Sequence, residues 1–225
     1  MKQLILDLHP DRQPTLENFV PGSNAELLES LARLAATGQT LGKHLYLWGS
    51  SGSGRSHLLR ATVARARDEG RPASFLNAEE ITDRLPEDAL LAIDDVDRLS
   101  GEAQIALFNA FNRARGNAQS LLLSGPAAPR GLTLREDLRT RIGQSLIFEV
   151  HPLDDATRES ILHSLAQRRG LRLSGEVASY LLTHARRDPP GMAAALDALD
   201  VASLEHKRPV TLPLLRELMQ QGLRI

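Results

Sequence analysis

Hydrophobic and polar positions follow two regimes along this chain. Up to about residue 150, short apolar runs alternate with longer stretches whose apolar residues recur at helical spacing. The runs at 45–48, 73–77, 90–93, 120–124 and 145–150 read as strands. Helices are expected between them. One, over 24–38, is capped by Ser23 or Asn24 and carries Leu27, Leu28, Leu31 and Leu34 as its inner stripe. A second follows residue 55 with Leu58, Leu59, Thr62, Val63 and Ala66 inward and Gly70 as its stop. A third, over 101–115, presents Ile105, Leu107, Phe108 and Phe111 and is stopped by Gly116 and Asn117. Residues 79–85 read as a helical turn or two ended by Pro86, and 132–141 as a basic segment. Strands alternating with helices imply a parallel sheet with helices on both faces. Beyond Pro152 only helical spacing remains. Helices are expected from Asp154 or Asp155 to about Arg169, then over 174–186 and 191–206 around Pro189 and Pro190, and finally from Thr211 and Pro213 through Met219. At the other end, Leu4, Leu6 and Leu8 alternate in an extended segment before the proline-bounded break at 9–14. Three parts follow: an extended motif at 1–8, an α/β subdomain over 9–151, and a small all-helical subdomain over 152–225.

The α/β part carries a candidate nucleotide site. The stretch 48–57, WGSSGSGRSH, spaces Gly49, Gly54, Arg55 and Ser56 as in a phosphate-binding P-loop, with Arg where Lys is usual. A strand leads in and a helix leads out, the context that such a loop requires. Gly49, Ser50, Ser51, Gly52, Ser53 and Gly54 let backbone N–H groups turn toward phosphate, and the helix N-terminus through Arg55, Ser56 and His57 adds positive field. The planar guanidinium of Arg55 makes phosphate binding a safer expectation than hydrolysis. Ser56 would offer its hydroxyl to Mg²⁺. The strand at 90–93 ends in Asp94 and Asp95, placing one carboxylate for the Mg²⁺ shell and a second for an attacking water. The next strand ends in Ser124, a polar group for the γ-phosphate region. Phe19 and Val20 fit either an apolar shelf for the base or a staple against the following helix.

Composition narrows the field. Net charge is −1, so the total argues for no polyelectrolyte partner. The absence of Cys removes thiolate chemistry, disulfides and Cys-based zinc sites, and suits the cytoplasm. No apolar run approaches the ~20 residues of a membrane span. Arg65, Arg67 and Arg71 cluster at the end of the second helix, where a solvated surface or dipole pairing is expected rather than a DNA footprint.

Together, TLENFVPGSNAEL over 15–27, the loop GSSGSGRS, the strand LLAIDDV, Ser124, and LRTRIGQSLIF over 138–148 resemble the AAA+ ATPases of the DnaA family. The resemblance is strongest to the regulatory inactivators of the DnaA initiator, which lack its DNA-binding domain. It implies a P-loop AAA+ parallel sheet flanked by helices and followed by a helical lid, with ADP or ATP and Mg²⁺ as ligands. It implies catalytic roles for Asp95 and Ser124, and for Arg141 as an arginine finger. It implies that Gln3, Leu4, Leu6 and Leu8 are a motif for the DNA polymerase III sliding clamp. The implied activity is inhibition of replication initiation: clamp binding and promoted hydrolysis of DnaA-bound ATP, by a protein that forms a dimer. Pro190 falls near the family's second sensor arginine and Arg187 lies out of register, which implies one fewer phosphate contact. Two alternatives stand beside this: a self-turning ATPase akin to a helicase loader, and a non-hydrolysing nucleotide-binding adaptor.

Overall fold

The computed structural model describes residues 14–36, 43–117, 119–184, 189–206 and 208–220. The motif at 1–8 and Arg187 lie outside the described residues. The chain divides into two compact units. One comprises the described residues up to Trp48 together with those of Arg55–Glu149, the other Gly49–Gly54 with the described residues from Val150 onward.

The first unit is built on five strands, β1 (His44–Trp48), β2 (Ala73–Asn77), β3 (Leu90–Asp94), β4 (Ser120–Gly125) and β5 (Leu146–Glu149), in the order β2-β3-β4-β1-β5 with every pair parallel. Strands β3 and β4 are buried throughout, as continuous apolar runs between two helix layers should be. Their side chains join Tyr46, Leu107, Phe111, Leu138 and Ile142 in one core. Helices α1 (Ala25–Ala35), α2 (Arg55–Asp68), α3 (Gly101–Asn117) and α4 (Glu136–Gly143) complete the unit.

Several expectations are corrected. Ile105 points outward at 46 % exposure, because the inner stripe of α3 runs through Ala103, Ala106, Leu107, Ala110, Phe111 and Ala114. Leu28 is only half-buried, Ala35 completing the α1 stripe. The turn after β2 is a single 3-10 turn at Ala78–Glu80. The segment read only as basic contains α4, whose first turn holds Glu136 and Asp137 at the positive end of the helix. β5 is an edge strand, so Leu146 and Ile147 stay exposed despite an apolar sequence. Arg71 is buried rather than solvated, donating to the carbonyls of Leu34 and Ala89 and to Ser120 Oγ.

The second unit contains α5 (Asp155–Arg168), α6 (Gly175–His184), α7 (Pro189–His206) and α8 (Leu212–Gln220). Asp154 caps α5, accepting from the Thr157 N–H at 2.7 Å. Leu162, Val177, Leu181, Leu196, Leu199 and Leu215 are its core.

Candidate functional site

Register places the chemistry. Ile93 pairs with Leu123, so Asp94 and Ser124 emerge side by side at the carboxyl ends of β3 and β4, where open α/β sheets bind ligands. Ser124 is fully buried, and its hydroxyl donates to Asp94 Oδ1 in a short bond while accepting from the Asp95 N–H at 3.0 Å. Asp95 turns sharply after the strand with φ 52° and ψ 55°, a left-handed conformation that Asp tolerates better than most residues. Its carboxyl is held above the usual carboxylate range, by burial first and by Asp94 second, against the opposing pull of Arg55. Arg55 opens α2 and reaches this group, its Nη2 lying 3.5 Å from Asp95 Oδ1. Four residues chosen from sequence, Arg55, Asp94, Asp95 and Ser124, therefore form one connected network.

Within the loop itself, Gly52 and Gly54 have φ of 78° and 100°, conformations that other residues enter at a cost. The Ser53 N–H donates to the Ser50 carbonyl at 3.2 Å. A Cβ on Gly49 would come within 2.7 Å of the Val150 carbonyl oxygen, so no side chain fits there. Ser51 and Ser56 are exposed.

These residues fit a phosphate group. The Arg55 Nη1 at the start of α2 and, within the loop, the Ser53 hydroxyl are each buried without a hydrogen-bond partner among the described residues, and buried donors without partners are rare unless a ligand satisfies them. Mg²⁺ binding in this fold draws on phosphate oxygens and waters plus few protein groups. Ser56 and Asp94 are of that chemistry. Among the described residues, no group of three or more His, Cys, Asp and Glu could hold a metal by itself.

Next to the loop helix, His57 Nε2 lies 3.0 Å from the Thr15 carbonyl, and its ring meets that of Phe19 at 5.7 Å. Phe19 thus stands against the first turn of α2. Val20 is half-buried beside it in sequence.

Arg141, on α4, has different company. Its Nη2 donates to Asn112 Oδ1 at 3.3 Å, and its guanidinium carbon lies 5.7 Å from the Phe108 ring centroid. It lines an open concavity of about 840 Å³ with Phe108, Arg135, Glu136, Asp137, Thr140 and Gln144. Asn112 was not anticipated as a site residue. Phe108 and Asn112 are four apart on α3, and that spacing was the available signal, but only the packing of α4 on α3 gives it meaning.

A P-loop with an acidic strand end and a buried polar strand end, on a sheet ordered β2-β3-β4-β1-β5, defines the class: an AAA+ ATPase fold. The comparisons agree. Residues 155–219 match the family described as the Hda lid domain. A Haemophilus influenzae protein described as uncharacterized is 32% identical over 229 residues, covering 97% of this chain and 98% of that protein. Domain III of Thermotoga maritima DnaA superposes with a TM-score of 0.74 at 21% identity, over 98% of this chain and 100% of that one. AMPPCP-bound DnaA from Aquifex aeolicus gives 0.72 at 22%, over 96% of this chain and 72% of that one. Residues 155–219 thus carry an Hda-type lid domain, and the whole chain has the fold of the AAA+ domain of DnaA, with a helical lid after its α/β sheet. Among the described residues, no helix is long and apolar enough to cross a membrane.

Proposed function

We propose that this chain is a regulator of DnaA that restrains replication initiation. It binds the sliding clamp through Gln3, Leu4, Leu6 and Leu8, and supplies Arg141 to the nucleotide site of ATP-bound DnaA. The observation that carries the reading is the state of Arg141. Its guanidinium sits in an open concavity, held by an amide oxygen and an aromatic ring, and pairs with no carboxylate among the described residues. A cation so placed keeps its charge available to a partner. An arginine supplied across an interface stabilises charge on a transferring phosphoryl group and accelerates such reactions by ~10³–10⁵ elsewhere. Tethering to a ring on DNA would raise the local concentration of the pair.

In this reading the chain holds ADP or ATP at its own loop. Gly49 to Gly54 and the start of α2 would receive the phosphates, Ser53 and Arg55 satisfying their free donors, and Phe19 and Val20 would border the base. Ser56 and Asp94 would hold Mg²⁺, which neutralises phosphate charge when bound. Asp95 and Ser124 complete the polar end of the sheet. The domain division at 1–8, 9–151 and 152–225, a cytoplasmic setting and a dimeric state belong to the same proposal.

The test is a purified system of clamp, DNA and ATP-loaded DnaA. Arg141→Ala is expected to leave ADP binding intact while removing stimulation of DnaA's ATPase. Deletion of residues 1–8 is expected to abolish clamp capture in a chain that still binds ADP. Stimulation that survives R141A, or clamp capture that survives the deletion, defeats the corresponding half of the reading.

A further inference from the structure

Arg55 and Asp95 engage each other at the point where each would serve a nucleotide. The ion pair spans 3.5 Å, and the two side chains retain 13% and 35% of their exposure. Asp95 is the one non-glycine residue with positive φ among the described residues. Its N–H is pinned by Ser124 Oγ, which is itself tied to Asp94. Strained backbone at a polar sheet end persists where its surroundings impose it, and such places cluster at functional sites. The Arg55 Nη2 is the atom that meets the carboxylate, while Nη1 is buried without a partner among the described residues.

We propose that the Arg55–Asp95 pair is a latch that keeps the chain's own nucleotide site from turning over. The inference rests on reading the loop as a nucleotide site. Turnover would join a water oxygen to the γ-phosphorus as its bond to the β–γ bridging oxygen breaks. ADP would leave with that electron pair, and the water's protons would end on the released phosphate and solvent. An acid engaged by a guanidinium is not free to orient that water, and a guanidinium engaged by an acid is only partly free to grip phosphate. The long, planar, forked side chain of Arg spans to Asp95 in a way that the compact ammonium of Lys, the usual residue in such a loop, does not reproduce. The same substitution that leaves a phosphate grip therefore disables hydrolysis by occupying the second acid.

Two readouts need no catalysis. In nucleotide-free protein, Arg55→Met, Asp95→Asn and the double variant form a melting cycle, and the double variant is expected to lose little more than the worse single variant. In fluorescent ADP binding, D95N releases Arg55 and is expected to tighten affinity about tenfold, whereas the same change in an R55M background, with no cation to release, tightens it less than about twofold. Turnover supplies a third: R55K is expected to hydrolyse ATP at least about tenfold faster than the unaltered chain without any partner, and R55K/D95N to lose that gain. Additive melting losses, equal ADP tightening in both backgrounds, or an R55K variant no faster than the parent would overturn the latch. Failure of the unaltered chain to bind ADP would overturn the nucleotide reading and the latch with it. ADP binding with an additive cycle would overturn the latch alone.

Discussion

Arg71 shows how far a single residue's role depends on its neighbours. In sequence it is the last of three arginines after a helix. In the fold it is buried at 7 % exposure, and its guanidinium joins the end of α1, the approach to β3 and the start of β4 through the Leu34 and Ala89 carbonyls and Ser120 Oγ. Burial holds its pKa below the ordinary arginine value. Its companions differ: Arg65 pairs with Glu69 at 3.0 Å, and Arg67 donates to the Ala73 carbonyl at 2.8 Å. Replacing Arg71 by Met would keep the length of the apolar stem and remove three donated hydrogen bonds, the Ala89 carbonyl keeping a second donor, the Ser120 N–H at 2.9 Å. The expected loss is about 2–4 kcal/mol, readable as a lower denaturation midpoint, while Arg65→Met should cost under about 1 kcal/mol.

Among the elements, the β1–β4 ladder contains a titratable link. The Leu121 N–H donates to His44 Nδ1 at 3.3 Å, which requires that nitrogen to be unprotonated, and the ring meets Phe111 edge-on at 5.1 Å. Burial, and then the charge of Arg115, lower the His44 pKa from its ordinary 6.5. The folded state thus binds this proton more weakly than the unfolded chain does. The stability it contributes is complete above about pH 6.5 and is lost as pH falls through the lowered folded value. Melting temperature should therefore decline from pH 7.5 to 5.5, and His44→Asn, which accepts without titrating, should flatten that decline. An unchanged slope in H44N would place the proton elsewhere. The strands themselves were legible as apolar runs. The exposed faces of β5 and α4's helical state were not, because edge position and helix packing are decided by which elements become neighbours.

For the whole molecule, ligand binding should appear as stability. Saturation with ADP at a hundredfold excess over its Kd should add about 2.7 kcal/mol to unfolding. Gly49→Ala, whose Cβ would meet the Val150 carbonyl at 2.7 Å, should abolish that gain. A full ADP shift in G49A would exclude this loop as the binding segment. The sequence by itself determined the two regimes of the chain, the strand–loop–helix at residues 45–70 and the identities of Asp94, Asp95 and Ser124, because apolar periodicity and glycine placement are local consequences of backbone sterics. Tertiary structure alone decided that Arg55 faces Asp95, that Arg71 is interior and that Asn112 and Phe108 hold Arg141. Each of these joins residues many positions apart, and only strand order and helix packing, driven by burial of the shared core, bring them within reach of one another.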